Sequence, residues 1–183
     1  MKAKNPSTIA KRQRVGSVAR PTNRVRENGS STPVKFKSIL VPTDFSPASR
    51  MALTYAEGLA RQFGAEITLI HVIEPVPMAD FGAYPVALTH DQMLKETRQT
   101  LHDFSRQEVA EDLLKKTMVL IGRPFQEITD AARNLKVDLI VLGTHGHSGL
   151  ARAILGSTAE RVVRYAPCAV LTVREKEIKS AKR

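Results

Sequence analysis

Only one cysteine, Cys168, occurs in the 183 residues, so no disulfide can form within the chain and no four-thiolate metal site can be built. No apolar run approaches the roughly 18–20 residues needed to span a bilayer as a helix, which excludes an integral helical membrane protein. The N-terminus lacks the apolar core of a secretory signal. Together with the lone thiol, this points to a reducing, cytoplasmic interior rather than to secretion. What the chain does have is enough apolar material for a core: 42% hydrophobic and 25% charged residues, ordinary values for a globular domain.

The net charge of +10 would suggest a nucleic-acid binder if it were spread over the fold, but it is concentrated at the ends. Residues 1–37 hold ten basic side chains against one acid, Glu27, whereas residues 38–173 carry a net charge of −2. The first 33 residues contain Ile9, Val15, Val18 and Val25 as their only large aliphatics beyond the initiator, and no aromatic residue. Such a segment cannot bury enough area to offset its ordering entropy, so residues 1–35 read as a disordered basic arm. Residues 36–174 read as the domain and residues 175–183 as a charged tail.

Within the domain, strand-like and helix-like runs alternate. Ser38–Val41 is a short apolar strand stopped by Pro42. Ser46 and Pro47 carry N-cap and first-turn chemistry, and the expected buried stripe is Met51, Leu53, Tyr55, Ala56, Leu59, Ala60 and Phe63, closed by Gly64. Residues 67–72 form a second strand, and a proline-interrupted stretch follows it. A long helix is predicted over 91–114, a strand over 118–121, a helix over 124–135, a strand over 138–142, a helix over 150–165 and a last strand over 169–173. Continuous apolar strands between helices imply an open five-stranded parallel sheet with helices on both faces, a Rossmann-like α/β fold. Its ligand crevice is expected at the carboxyl ends of the strands, where strand order reverses.

The stretch Gly143-Thr144-His145-Gly146-His147-Ser148-Gly149 follows the fourth strand, with Gly156-Ser157-Thr158 further on. Glycines there let backbone N–H groups approach an anion, and a helix N-terminus adds positive potential. A phosphate chain could lie between the two glycine clusters, Gly156-Ser157 supplying bare backbone and a hydroxyl; the bland reading is a tight turn into a helix. Neither the P-loop nor the dinucleotide fingerprint is present.

The spacing Gly143-x2-Gly146-x9-Gly156-Ser157 resembles the G-2x-G-9x-G-(S/T) signature of the ATP-binding branch of the universal stress protein family. The resemblance extends to Ile39-Leu40-Val41-Pro42-Thr43-Asp44, to Leu69-Ile70-His71-Val72 and to residues 166–173, covering about 36–174 and none of the arm. It implies an adenine nucleotide alpha hydrolase-like fold binding ATP. Asp44 would accept from the ribose hydroxyls, with Pro42 and Thr43 on the same edge, and the Val72 backbone would meet the adenine. Gly143, His145, Gly146, Gly156 and Ser157 would wrap the phosphates, with Mg2+ bridging them. One departure is Ala159, where some relatives carry a hydroxyl; Thr158 is the neighbouring group that could take that contact. The resemblance also places the last strand at a sheet edge, where residues 169–173 lack the charge, proline or bulge that usually blunts one. Pairing that edge with its own copy gives an expected homodimer through Val170 and Val173.

Each of these residues also has a plainer reading. Asp44 could serve only the helix cap, though Ser46 is better placed for that. His71, inside an apolar strand, reads as a packed core histidine with a hydrogen-bond partner. His145 and His147 have no second carboxylate or cysteine nearby in sequence and do not read as metal ligands. Cys168 reads as a packing residue, and Arg152 as a solvated side chain before a phosphate clamp. Three function classes follow. One is a nucleotide-dependent stress or signalling module, at most a slow ATPase. A second is an ATP-hydrolysing enzyme or phosphotransferase, which the loop disfavours because it holds neither lysine nor carboxylate. The third is polyanion or nucleic-acid binding through the arm, without base stacking because the arm lacks aromatics.

Overall fold

The three residues Ile39-Leu40-Val41 are wholly buried and sit at the centre of the sheet, where an unbroken apolar run is required because both faces are covered. A computed structural model describes residues 34–75, 90–144 and 155–174. Its strands are β1 (Ser38–Pro42), β2 (Glu66–Ile73), β3 (Leu114–Ile121), β4 (Leu139–Gly143) and β5 (Ala169–Val173). They form one sheet in the order β3-β2-β1-β4-β5, and every pair is parallel. The helices between them are α1 (Pro47–Phe63), α2 (His90–Glu108), α3 (Pro124–Leu135) and α4 (Ser157–Tyr165).

Side chains alternate along each central strand between two cores. Ile39, Val41, Ile67, Leu69, Leu139 and Val141 pack with α1 and α2 through Leu53, Leu101 and Phe104. Leu40, Ile70, Ile140 and Leu142 pack with α3 and α4 through Ile128, Ala132 and Val162. Asp138 ties the start of β4 to β1, its carboxylate accepting from the N–H groups of Lys37 at 2.7 Å and Ser38 at 3.0 Å.

Four elements differ from expectation. Along α1, Leu53, Ala56 and Ala60 are buried and Met51 and Leu59 pack partly buried on the core as expected, but Tyr55 and Phe63 are 47% and 37% exposed, and Ala48 and Ala52 complete a buried alanine ridge at four-residue spacing. Small residues let the helix lie close to the sheet, which the larger side chains would prevent. Helix α2 stops at Glu108 rather than 114. Val109 and Leu113 are still buried but lie in a turn, where the Glu57 carboxylate takes the Ala110 N–H at 2.7 Å. β3 accordingly starts at Leu114, its exposed Lys115 and Lys116 marking an edge strand. Helix α4 opens at Ser157, after an extended Gly156 that donates its N–H to the Thr144 carbonyl at 2.7 Å; residues 150–154 of the expected helix lie outside the described residues.

Candidate functional site

The order of the sheet reverses between β1 and β4, whose chains leave towards α1 on one face and towards α4 on the other. Neighbouring loops that part in this way leave a crevice, here a cavity of about 280 Å³. Pro42, Thr43 and Asp44 enter it from the end of β1, Val72 from β2, Gly143 from β4, and Gly156, Ser157 and Thr158 from the head of α4. Eight of the ten residues singled out in the sequence therefore line one cavity. His145 and Gly146 lie outside the described residues, as do His147 and Arg152.

Asp44 sits on a turn closed by its own neighbours. Its Oδ1 accepts from the Ser46 N–H at 3.1 Å and from the Ser46 hydroxyl at 2.6 Å. Ser46 is also the N-cap of α1, its Oγ accepting from the Ser49 N–H at 3.2 Å. Burial pushes the Asp44 carboxyl upward, but the Ser46 hydrogen bonds, with one from Ser49, outweigh it and hold the group below the ordinary carboxylate value. The side chain is thus an ionised acceptor, the only charged side chain lining the cavity among the described residues.

The opposite wall is the N-terminus of α4. The first intrahelical bond runs from the Glu160 N–H to the Gly156 carbonyl, so the N–H groups of Ser157, Thr158 and Ala159 have no partner within the helix. Gly156 has no side chain to cap them, and all three residues line the cavity. Of the pair Gly156-Ser157 that the sequence offers as bare backbone, the Gly156 N–H is engaged by the Thr144 carbonyl, and the donors with no partner in the helix begin at Ser157.

Gly143 has a different reason to be glycine. A Cβ there would lie 2.9 Å from the Ala48 carbonyl carbon and 3.0 Å from its Cβ, so the bare backbone is what allows α1 to pack on β4. At β2, the Ile70 carbonyl points to β1, accepting from the Thr43 N–H at 2.8 Å. Peptide groups alternate sides along a strand, so Val72, two residues on, faces the same way. β1 ends its register opposite Ile70, which leaves the Val72 donor and acceptor directed at the crevice.

Sequence reasoning passed over Ser49, Pro124, Ile128 and Thr144, which also line the cavity. Ser49 is three residues into α1 and reads as helix. Pro124 and Ile128 begin α3 and read as helix start and core; only the topology brings them to this face. No group of three or more His, Cys, Asp or Glu side chains gathers as a metal site among the described residues, and no described helix is long and apolar enough to cross a membrane.

Fold and crevice together define a doubly wound α/β protein with a cavity at its topological switch point. Residues 35–174 match the universal stress protein family, and the chain belongs to it. Universal stress protein MJ0531 of Methanocaldococcus jannaschii is 36% identical over 154 residues, 84% of this chain and 89% of that one. The solved structure of MJ0577, from the same organism, superposes with a TM-score of 0.67 at 28% identity, covering 78% of this chain and 99% of the other. The Archaeoglobus fulgidus universal stress protein in complex with dAMP shares the fold, with a TM-score of 0.52, 22% identity, and 76% and 99% coverage.

Proposed function

We propose that this chain binds ATP at the switch-point cavity and acts as a nucleotide-dependent stress-response module rather than as a dedicated enzyme. The observation that carries the reading is the arrangement of three kinds of group around one cavity: the Asp44 carboxylate, the open N–H groups heading α4, and the Val72 peptide beyond the end of β1. A carboxylate accepts from vicinal ribose hydroxyls, and a helix N-terminus favours phosphate. One N–H donor and one C=O acceptor side by side match the N1 acceptor and N6 donor of adenine. Guanine presents the opposite pattern there. The adenine nucleotide in the dAMP complex of the Archaeoglobus relative supports the same base class.

No lysine or arginine lines the cavity among the described residues, so the phosphate charge falls to backbone N–H groups and, in this reading, to a Mg2+ ion held by the phosphates. The loop 143–149 holds neither lysine nor carboxylate in its sequence, so in this reading turnover is slow at most. We also read β5 as a homodimer edge, and the single cysteine as suited to the cytoplasm. Calorimetry with ATP, GTP and adenosine tests the binding reading, beside steady-state phosphate release. ATP should bind with GTP excluded, and Asp44→Ala should weaken ATP by about 1–3 kcal/mol. Gly156→Val should abolish binding in a folded protein. Unchanged ATP affinity in both variants would remove the reading.

A further inference from the structure

The turn that presents Asp44 contains a backbone conformation that its residue type disfavours. Phe45 has φ 65°, in the left-handed region where bulky side chains rarely sit. Lys136, the other described non-glycine residue with positive φ, is the C-cap of α3, where that conformation is common. Phe45 caps no helix end. Such strain persists where surrounding contacts over-determine it.

Those contacts are present. The Phe45 N–H donates to Thr43 Oγ1 at 3.0 Å. Its ring stacks on the His71 imidazole, with centroids 4.6 Å apart and planes at 29°, and meets the edge of Phe104 at 5.2 Å. Phe104 belongs to the core and lies under the Arg50 guanidinium, which is paired with Glu108. His71 Nδ1 lies 2.8 Å from the Thr43 carbonyl, and because a carbonyl only accepts, Nδ1 carries the proton. With its N–H bonded to the Ile70 carbonyl, Thr43 has its amide, carbonyl and hydroxyl all engaged. Asp44 is the next residue.

We propose that Phe45 and His71 are positioning residues that fix the Thr43–Ser46 turn, so that the Asp44 carboxylate is preset to receive the ribose of the bound nucleotide. Neither lines the cavity, so they act through Thr43 and Asp44. The proposal rests on the nucleotide reading above. It also gives His71, found as expected packed against a ring and hydrogen-bonded, a use beyond packing.

The test compares ATP with 2′,3′-dideoxy-ATP, which lacks the hydroxyls that Asp44 would hold. Wild type should favour ATP by about tenfold or more, the scale of a charge-assisted hydrogen bond. His71→Phe keeps the stacked ring and loses the donor, whereas Phe45→Gly relaxes φ and loses the ring. In both, the preference should fall towards one while dideoxy-ATP affinity stays at its wild-type value. His71→Asn, which returns an amide N–H near the place of Nδ1, should regain part of the preference. Retention of the full preference in both variants overturns the proposal. So does an equal loss for both nucleotides, which marks a purely structural role. A wild type that binds neither nucleotide fails differently, because it removes the nucleotide reading itself.

Discussion

Replacing Gly143 with alanine separates packing from ligand binding. The added methyl would stand 2.9 Å from the Ala48 carbonyl carbon and 3.0 Å from both its oxygen and its Cβ. Carbon atoms pack best at roughly 3.5–4.0 Å, so α1 must retreat by about 0.5–1 Å at its first turn. Two of the three opposing atoms are helix backbone, and no rotamer change relieves them. Overpacking of this kind costs about 1–3 kcal/mol, which in a domain of this size lowers the melting temperature by about 3–10 °C. The retreat also draws on Ser49, whose hydroxyl lies 3.0 Å from that of Thr43, so the Asp44 edge of the cavity should move with it. Thermal melts of Gly143→Ala and of the double variant with Ala48→Gly are the assay. The second change removes only the Cβ contact and should restore part of the loss. A single variant melting within about 1 °C of wild type would refute the packing argument. A stable variant that no longer binds ATP would instead make Gly143 a phosphate glycine.

Because the Asp44 carboxyl is held below its ordinary value when folded, the stability it contributes is complete above the unfolded-state pKa. It is lost as pH falls through the folded-state pKa. Melts between about pH 6 and pH 3 should show a wild-type advantage over Asp44→Asn that shrinks with acid, and a constant difference would count against it. Burial, and then the Asp138 charge, push the Cys168 thiol up despite a hydrogen bond from the Ile140 backbone. Alkylation at neutral pH should therefore run slower in the native protein than in urea, and equal rates would place the thiol in open solvent. For the proposed dimer edge, the Val173 carbonyl faces β4, accepting from Thr144, so by alternation the Thr172 N–H faces outward. Thr172→Pro should then remove an intermolecular bond while sparing the β4 pairing, and light scattering should report a monomer. Val173 is 5% exposed and packed in the core, so a lysine there would test the fold instead of the interface.

The order of elements and the bounds of α3 and β5 were legible because local signals agree there. Pro124 opens α3, Leu135 closes its apolar period, and residues 169–173 are an unbroken β-type run. Where a local signal had to compete with a tertiary contact, the tertiary contact prevailed. The apolar period of α2 continues through Val109 and Leu113, and nothing local announces that Glu57, more than fifty residues earlier, captures the Ala110 N–H and ends the helix. Size bias misled the reading of α1 only at Tyr55 and Phe63, which are exposed, whereas Leu53, Ala56 and Ala60 are buried as expected. Large residues look like core, yet the distance of α1 from β4 is set by Ala48 and Gly143, both chosen for what they lack.

The site was legible to the extent that its chemistry lies on the strand ends. Asp44 and Val72 are reached through the resemblance to the family, and the open donors of α4 were not legible, because the expected helix over 150–165 places Gly156 inside it and not at its N-cap. The support behind Asp44 and Val72 could not be read either. Pro124 and Ile128 reach the cavity only because α3 covers the same face as α4. Phe45 reads as one more apolar residue until its φ is known. Motif residues can be read from spacing because their chemistry is carried by their type. The residues that orient them act by packing, and packing depends on partners that the sequence places far away: His71 lies 28 positions from the Thr43 carbonyl it holds. A ligand site inferred from a motif alone is therefore incomplete on the side facing the core, where substitutions that touch no ligand should still change its affinity.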